Sequence, residues 1–176
     1  MSQYLIKLDP RRCIGCKACE VHCQSKNSLP AGTKLGQLVV TRAQEVAGKP
    51  QVATAFVPCF QCEQPWCVAA CPTGAMVKRE EDGLVYVESD LCVGCKACVL
   101  ACPWGVPQWD ETTGKVRKCD YCRDRIAEGQ APACVAGCTS HALSFTRPND
   151  NSRRTRAAFA KLALAHKRPA SGKPPR

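Results

Sequence analysis

The chain has 176 residues, a formal charge of +10 and 45% apolar composition, yet 16 residues are cysteine and roughly 36% is apolar without them. So thin a hydrocarbon supply excludes a core that stands alone, and makes bound metal part of the expected folding energy. No apolar run approaches the ~20 residues of a bilayer span, which excludes a direct membrane span.

The first predicted strand, 4–8, leads into Cys13-Ile-Gly-Cys16-Lys-Ala-Cys19-Glu-Val-His-Cys23, with a helix predicted over 17–23. A linker-like stretch rich in Gly and Lys, 27–51, carries one predicted strand at 38–42, and another strand follows at 54–57. The second group is Cys59-Phe-Gln-Cys62-Glu-Gln-Pro-Trp-Cys67-Val-Ala-Ala-Cys71-Pro72, with a helix over 66–71. Strands at 76–78 and 84–87 flank Glu80-Glu81-Asp82-Gly83, which reads as a hairpin turn. The third group is Cys92-Val-Gly-Cys95-Lys-Ala-Cys98-Val-Leu-Ala-Cys102-Pro103, with a helix over 96–102. It matches the first at seven of eleven positions, an internal repeat. The fourth group is Cys119-Asp-Tyr-Cys122, eleven further residues, then Cys134-Val-Ala-Gly-Cys138, followed by a strand at 142–145.

Spacing carries the chemistry. In C-x2-C-x2-C a tight loop presents three thiolates to one [4Fe–4S] cluster, and the next Cys, on a short helix, points to a different cluster. Gly15 and Gly94 suit the close approach of that loop's backbone, and Pro72 and Pro103 stop the helix behind it. Four groups accounting for every cysteine imply four [4Fe–4S] clusters. Zinc sites place two Cys pairs about 12–20 residues apart, so a zinc-bound interaction module is the distant alternative. Spacing alone leaves sequential and nested pairing of the groups both open.

Short strands and helices wrapped around clusters predict an α+β fold of two ferredoxin-like dicluster units with much irregular backbone. Residues 1–149 are read as that domain and 150–176 as a basic helix and tail. Since each loaded cluster with its thiolates carries about −2, four bring the total near +2. Residues 153–176 hold eight Lys or Arg and no acid. There, 153–166 is helix-friendly, with Phe159, Leu162 and Ala163 on one stripe, and 167–176, with three prolines, reads as disordered. Two readings stand for this tail: a solvated appendage, or a dock for an acidic partner surface, including another copy's loaded body. Nucleic acid is not expected, because no aromatic platform accompanies the charge. The N-terminal sequence shows no signal-peptide stretch, and Arg11-Arg12 leaves no room for an export motif before Cys13. The expected location is therefore cytoplasmic, with metal-bound thiols.

The second group's spacing, the Cys102-Pro-Trp-Gly-Val-Pro run and Lys118-Cys-Asp-Tyr-Cys…Pro132-Ala-Cys134 resemble the four-cluster iron–sulfur subunits of the dimethyl sulfoxide reductase superfamily, over residues 4–146. The resemblance implies nested pairing. Cys13, Cys16 and Cys19 then share a cluster with Cys138; Cys59, Cys62 and Cys67 with Cys102; Cys92, Cys95 and Cys98 with Cys71; and Cys119, Cys122 and Cys134 with Cys23. It also implies a non-catalytic electron-transfer subunit beside a tungsten- or molybdenum-pterin catalytic subunit, and a further carrier, flavin- or NAD-linked. In size and plainness the chain looks most like the electron-transfer subunit of tungsten aldehyde oxidoreductases. Formate dehydrogenases, hydrogenases and benzoyl-CoA reductases are the alternatives.

Other residues carry two readings each. Lys17, Lys96, Arg11 and Arg12 are solvated loop charges, or cations that raise a cluster's potential, with Glu63 acting oppositely. Trp66, Trp104 and Trp109 are ordinary packing, or cluster shields and partner contacts. His22 and His141 adjoin ligand regions, but every expected ligand is already a cysteine.

Overall fold

The structure, a computed structural model, describes residues 3–41, 44–46 and 49–166. The chain divides into two compact units, Met1–Phe145 and Thr146–Arg176.

The first unit begins with β1 (Leu5–Leu8) and α1 (Ala18–Asn27), then β2 (Gln37–Val40), β3 (Gln44–Val46), β4 (Lys49–Gln51) and β5 (Thr54–Val57). It continues through α2 (Trp66–Ala69), β6 (Met76–Lys78), β7 (Val85–Val87) and a 3-10 turn at Ser89–Leu91. After α3 (Ala97–Ala101) come β8 (Gln108–Asp110), β9 (Lys115–Arg117), α4 (Arg123–Ala127), α5 (Ala133–Ala136) and β10 (Leu143–Thr146). Its strands, three or four residues each, form two-stranded ribbons: β1–β10, β2–β5, β3–β4, β6–β7 and β8–β9. Ribbons this small are marginal alone and need something to pack on.

That something contains sulfur. Ile6, Leu38, Leu84, Tyr121, Ala142 and Leu143 bury themselves around Cys19, Cys134 and Cys138. Met76, Val85 and Val116 close over Cys67 and Cys98, while Leu29 and Leu35 cover Cys23. Pairing of β1 with β10, and packing of α1 on α5, bring the first and fourth cysteine groups together. Packing of α2 on α3 does the same for the second and third. The result is the α+β arrangement of two nested dicluster units.

Two hairpins brace the inner unit. At β6–β7 the Asp82 carboxylate accepts from Arg79 Nη2 at 2.6 Å and from the Leu84 N–H at 3.1 Å, closing the turn predicted at 80–83. At β8–β9 the buried Asp110 accepts from Arg117 Nε at 2.7 Å and the Thr112 N–H at 3.0 Å. This second hairpin was not predicted; its signal is Asp110-Glu-Thr-Thr-Gly114, a turn sequence between short β-prone runs.

Several boundaries move. The helix expected over 17–23 runs on to Asn27, where Ser28 ends it in the left-handed region. The linker-like stretch 27–51 carries three strands, because β2 has β5 as a partner and β3 has β4. The strand expected over 38–42 occupies Gln37–Val40, and its last expected residue, Arg42, lies outside the described residues.

In the second unit α6 (Pro148–His166) starts five residues before the expected helix, with Phe159 and Leu162 exposed on it. The tail expected to be disordered, 167–176, lies outside the described residues. Among the described residues no helix is long and apolar enough to cross a membrane.

Candidate metal centres

Each cysteine group opens on a left-handed turn. The residue just before the second Cys has positive φ in all four: Gly15 at 70°, Gln61 at 47°, Gly94 at 70° and Tyr121 at 60°. Lys17 at 59° and Lys96 at 63° extend the turn in the two repeats, as Cys122 at 56° does in the fourth group. Successive backbone N–H groups in such turns face inward and favour bound anionic atoms. Sequence reasoning singled out the two glycines and missed Gln61 and Tyr121. Both are held there by burial and by specific contacts. Gln61 Oε1 accepts from the Val85 N–H at 2.6 Å and its Nε2 donates to the Cys119 carbonyl at 3.2 Å. Tyr121 packs its ring edge-on to Phe145 at 6.3 Å.

The thiols gather in mixed sets. Cys59, Cys62 and Cys67 line one cavity together with Cys102 of the next group. Cys92, Cys95 and Cys98 line a second together with Cys71 of the preceding group. At the outer pair, Cys19 and Cys138 share one buried cluster against which Cys13 packs. Cys16 Sγ lies 3.4 Å from the hydroxyl of Thr139, the neighbour of Cys138. Cys23 is buried against Cys119, and its thiol is pushed up by burial first and then by Cys122.

These sets fit a polynuclear cluster. Among the described residues, no three His, Cys, Asp or Glu side chains converge on a single-ion site, whereas four thiols ring each inner cavity. Zinc, bound by one converging tetrahedron, fits that arrangement less well.

Burial dominates the electrostatics. It pushes the thiols of Cys19, Cys23 and Cys98 up to about 11 and that of Cys119 to about 12, and Cys134 rises further still. Thiolates in such places need compensating positive charge, which iron supplies, so metal binding displaces their protons. Some donors already aim at sulfur. Cys138 Sγ accepts from the N–H groups of Ala142 at 3.2 Å and Leu143 at 3.4 Å, and Cys59 Sγ from that of Gln61 at 3.4 Å. At Cys67 burial raises the thiol while the ammonium of Lys118 opposes it.

Of the other residues weighed in the sequence, Lys96 lies 4.0 Å above the Trp109 ring. Trp104 meets Phe60 edge-on at 5.0 Å on the rim of the cavity of Cys59 and is half exposed, as is Trp66. His22 has a packing role: its ring fills the space beside Gly137, where an added Cβ would stand 2.1 Å from its Cδ2. Gly137 lies between Cys134 and Cys138, at the contact of α5 with α1. Gly137→Ala is therefore expected to push the helices apart and lose about 1–3 kcal/mol of stability, with iron released from the outer pair first. The double variant His22→Ala/Gly137→Ala should recover most of that loss in thermal unfolding; an equal loss in both would remove this contact as the cause.

Profiles described as 4Fe–4S dicluster domains match residues 51–147 and, separately, 12–75. The chain is 41% identical over 180 residues to the B component of the anaerobic dimethyl sulfoxide reductase of Escherichia coli (strain K12), covering 94% of this chain and 84% of that one. It is 42% identical over 153 residues to the thiosulfate reductase electron transfer subunit PhsB of Salmonella typhi, covering 85% and 79%. With the B component of the polysulfide reductase of Wolinella succinogenes the figures are 40% over 147 residues, 81% and 75%. None of these three names is that of an aldehyde oxidoreductase.

Proposed function

The chain belongs to the 4Fe–4S dicluster family, among the iron–sulfur subunits of anaerobic reductases, and from that membership we propose that it relays electrons between a pterin-bearing catalytic subunit and a second redox carrier. It is an electron-transfer subunit and holds four [4Fe–4S] clusters. When bound, such clusters accept and donate electrons at potentials tuned by charge, hydrogen bonds to sulfur and solvent exposure.

The proposed ligand sets are nested: Cys13, Cys16, Cys19 and Cys138; Cys59, Cys62, Cys67 and Cys102; Cys92, Cys95, Cys98 and Cys71; Cys119, Cys122, Cys134 and Cys23. The observation that carries this reading is that each inner cavity is ringed by three thiols of one group and one of the other. The chain's own work is then positional. Left-handed turns aim three thiolates, a short helix carries the fourth to the neighbouring site, and apolar side chains such as Val85 and Val116 exclude water.

For the catalytic partner we propose a molybdenum or tungsten enzyme that reduces a small oxidised sulfur or selenium compound. The relatives' names, which include a component of a selenate reductase, support this class over an aldehyde oxidoreductase. A flavin- or NAD-linked second carrier belongs to the same proposal.

Replacing Cys62 or Cys95 by Ser tests the relay. About four irons per chain should be lost, and electron flow from the physiological donor should fall at least tenfold. The catalytic subunit's activity with artificial donors should persist. Equal loss of both activities would argue against a pure relay.

A further inference from the structure

The inner and outer units meet at a polar clasp that the cysteine motifs do not account for. Lys118, only 7% exposed, donates through Nζ to the carbonyls of Val85 and, at 2.7 Å, Cys119. Gln61 spans the same two residues, taking the Val85 N–H and donating to the Cys119 carbonyl. Val85 belongs to the inner hairpin and Cys119 to the fourth group, so the clasp ties the two units together. Lys118 also forms part of the wall of the cavity lined by Cys59, Cys62, Cys67 and Cys102.

Geometry alone calls for some polar residue at such a joint, and Gln61 already meets the amide and one carbonyl. Lysine adds a full positive charge. Both of its hydrogen bonds go to neutral carbonyls, which solvate the ammonium without cancelling its charge. Across the cavity wall stand four thiolate ligands. A buried cation there interacts with little solvent screening, and it favours whichever state of the neighbouring centre is more negative, the reduced one. The repeat lysines Lys17 and Lys96 differ in kind, since both lie on exposed loops.

We propose that Lys118 is a positioning residue for electron transfer, whose buried ammonium raises the reduction potential of the centre held by Cys59, Cys62, Cys67 and Cys102. This rests on the ligand sets proposed above.

The test is a redox titration of the anaerobically purified complex, followed by electron paramagnetic resonance. The signal missing from a Cys62→Ser variant identifies the centre. Lys118→Met keeps the apolar stem and removes the charge. It is expected to shift that signal's reduction equilibrium at least tenfold toward the oxidised form, about 59 mV for a one-electron couple. The other three centres should move much less, and Lys118→Arg should titrate close to the parent. Should the Met variant fail to load iron, Lys118→Gln, which keeps a donor without the charge, must show the same shift. An unchanged potential in either loaded variant, or a shift confined to another centre, overturns the role of Lys118. If Cys62→Ser removes no signal, the ligand sets fail instead.

Discussion

Stripping iron and sulfide from the chain with a chelator and reductant is expected to abolish the fold of residues 3–145 and leave them exchange-unprotected. The ribbons are two-stranded and three or four residues long, too small to persist alone. Their packing surfaces are built around Cys19, Cys134 and Cys138 in one region and Cys67 and Cys98 in another. Structural zinc in zinc-finger peptides contributes about 10–16 kcal/mol, which shows that thiolate-bound metal alone reaches the whole stability of a small domain, about 5–15 kcal/mol. Reloading has a defined pH sign. In the unfolded, metal-free chain the thiols keep the ordinary value of about 8.5 and are mostly protonated at neutrality, and burial on refolding pushes Cys19, Cys23, Cys98 and Cys119 up further unless iron takes the proton's place. Each must lose a proton to bind iron, and reconstitution should improve as pH rises from about 6 to 8. A chelated chain that keeps near-ultraviolet circular dichroism and protease resistance would show that hydrocarbon suffices.

The second large effect distinguishes two glycines that the sequence repeat makes equivalent. Gly94 and Gly15 share a φ of +70°, so any substitution pays the left-handed strain, about 1–3 kcal/mol. Only at Gly94 is there a collision as well. An added Cβ would stand 2.2 Å from the Gly114 carbonyl oxygen and 2.8 Å from Trp109 Cζ3, both on the β8–β9 hairpin. At Gly15 the nearest atom is Val40 Cγ2 at 3.9 Å. Overpacking adds about 1–3 kcal/mol, giving about 2–6 kcal/mol for Gly94→Ala against about 1–3 for Gly15→Ala. Because the hairpin holds down the loop of Cys92 and Cys95, the Gly94 variant should also lose about four irons per chain, and the Gly15 variant fewer. Matching losses in the two would mean that the hairpin does not press on that loop.

How much of this was legible in the sequence follows from the kinds of interaction involved. Cysteine spacing is local, so the four groups, the helices of the first three and the hairpin at 80–83 could be read directly, whereas α4 and α5 of the fourth group went unread. The proposed nested pairing, left open by spacing and implied beforehand only by the family resemblance, is supported by which helices pack, α1 on α5 and α2 on α3, long-range contacts that local spacing does not encode. Gln61 and Tyr121 went unnoticed because neither residue type signals a left-handed turn; burial and hydrogen bonds override local preference there. Lys118 was visible only as part of a motif. Its depth and its contact with Val85, 33 residues earlier, have no sequence signature. The β3–β4 ribbon was hidden by a composition that reads as linker.

The count of iron in the anaerobically isolated chain tests the account at its root. Sixteen thiols in the four proposed mixed sets predict about sixteen irons and as many acid-labile sulfides per chain. About four zinc ions with no sulfide, or a folded chain carrying no metal, would contradict it.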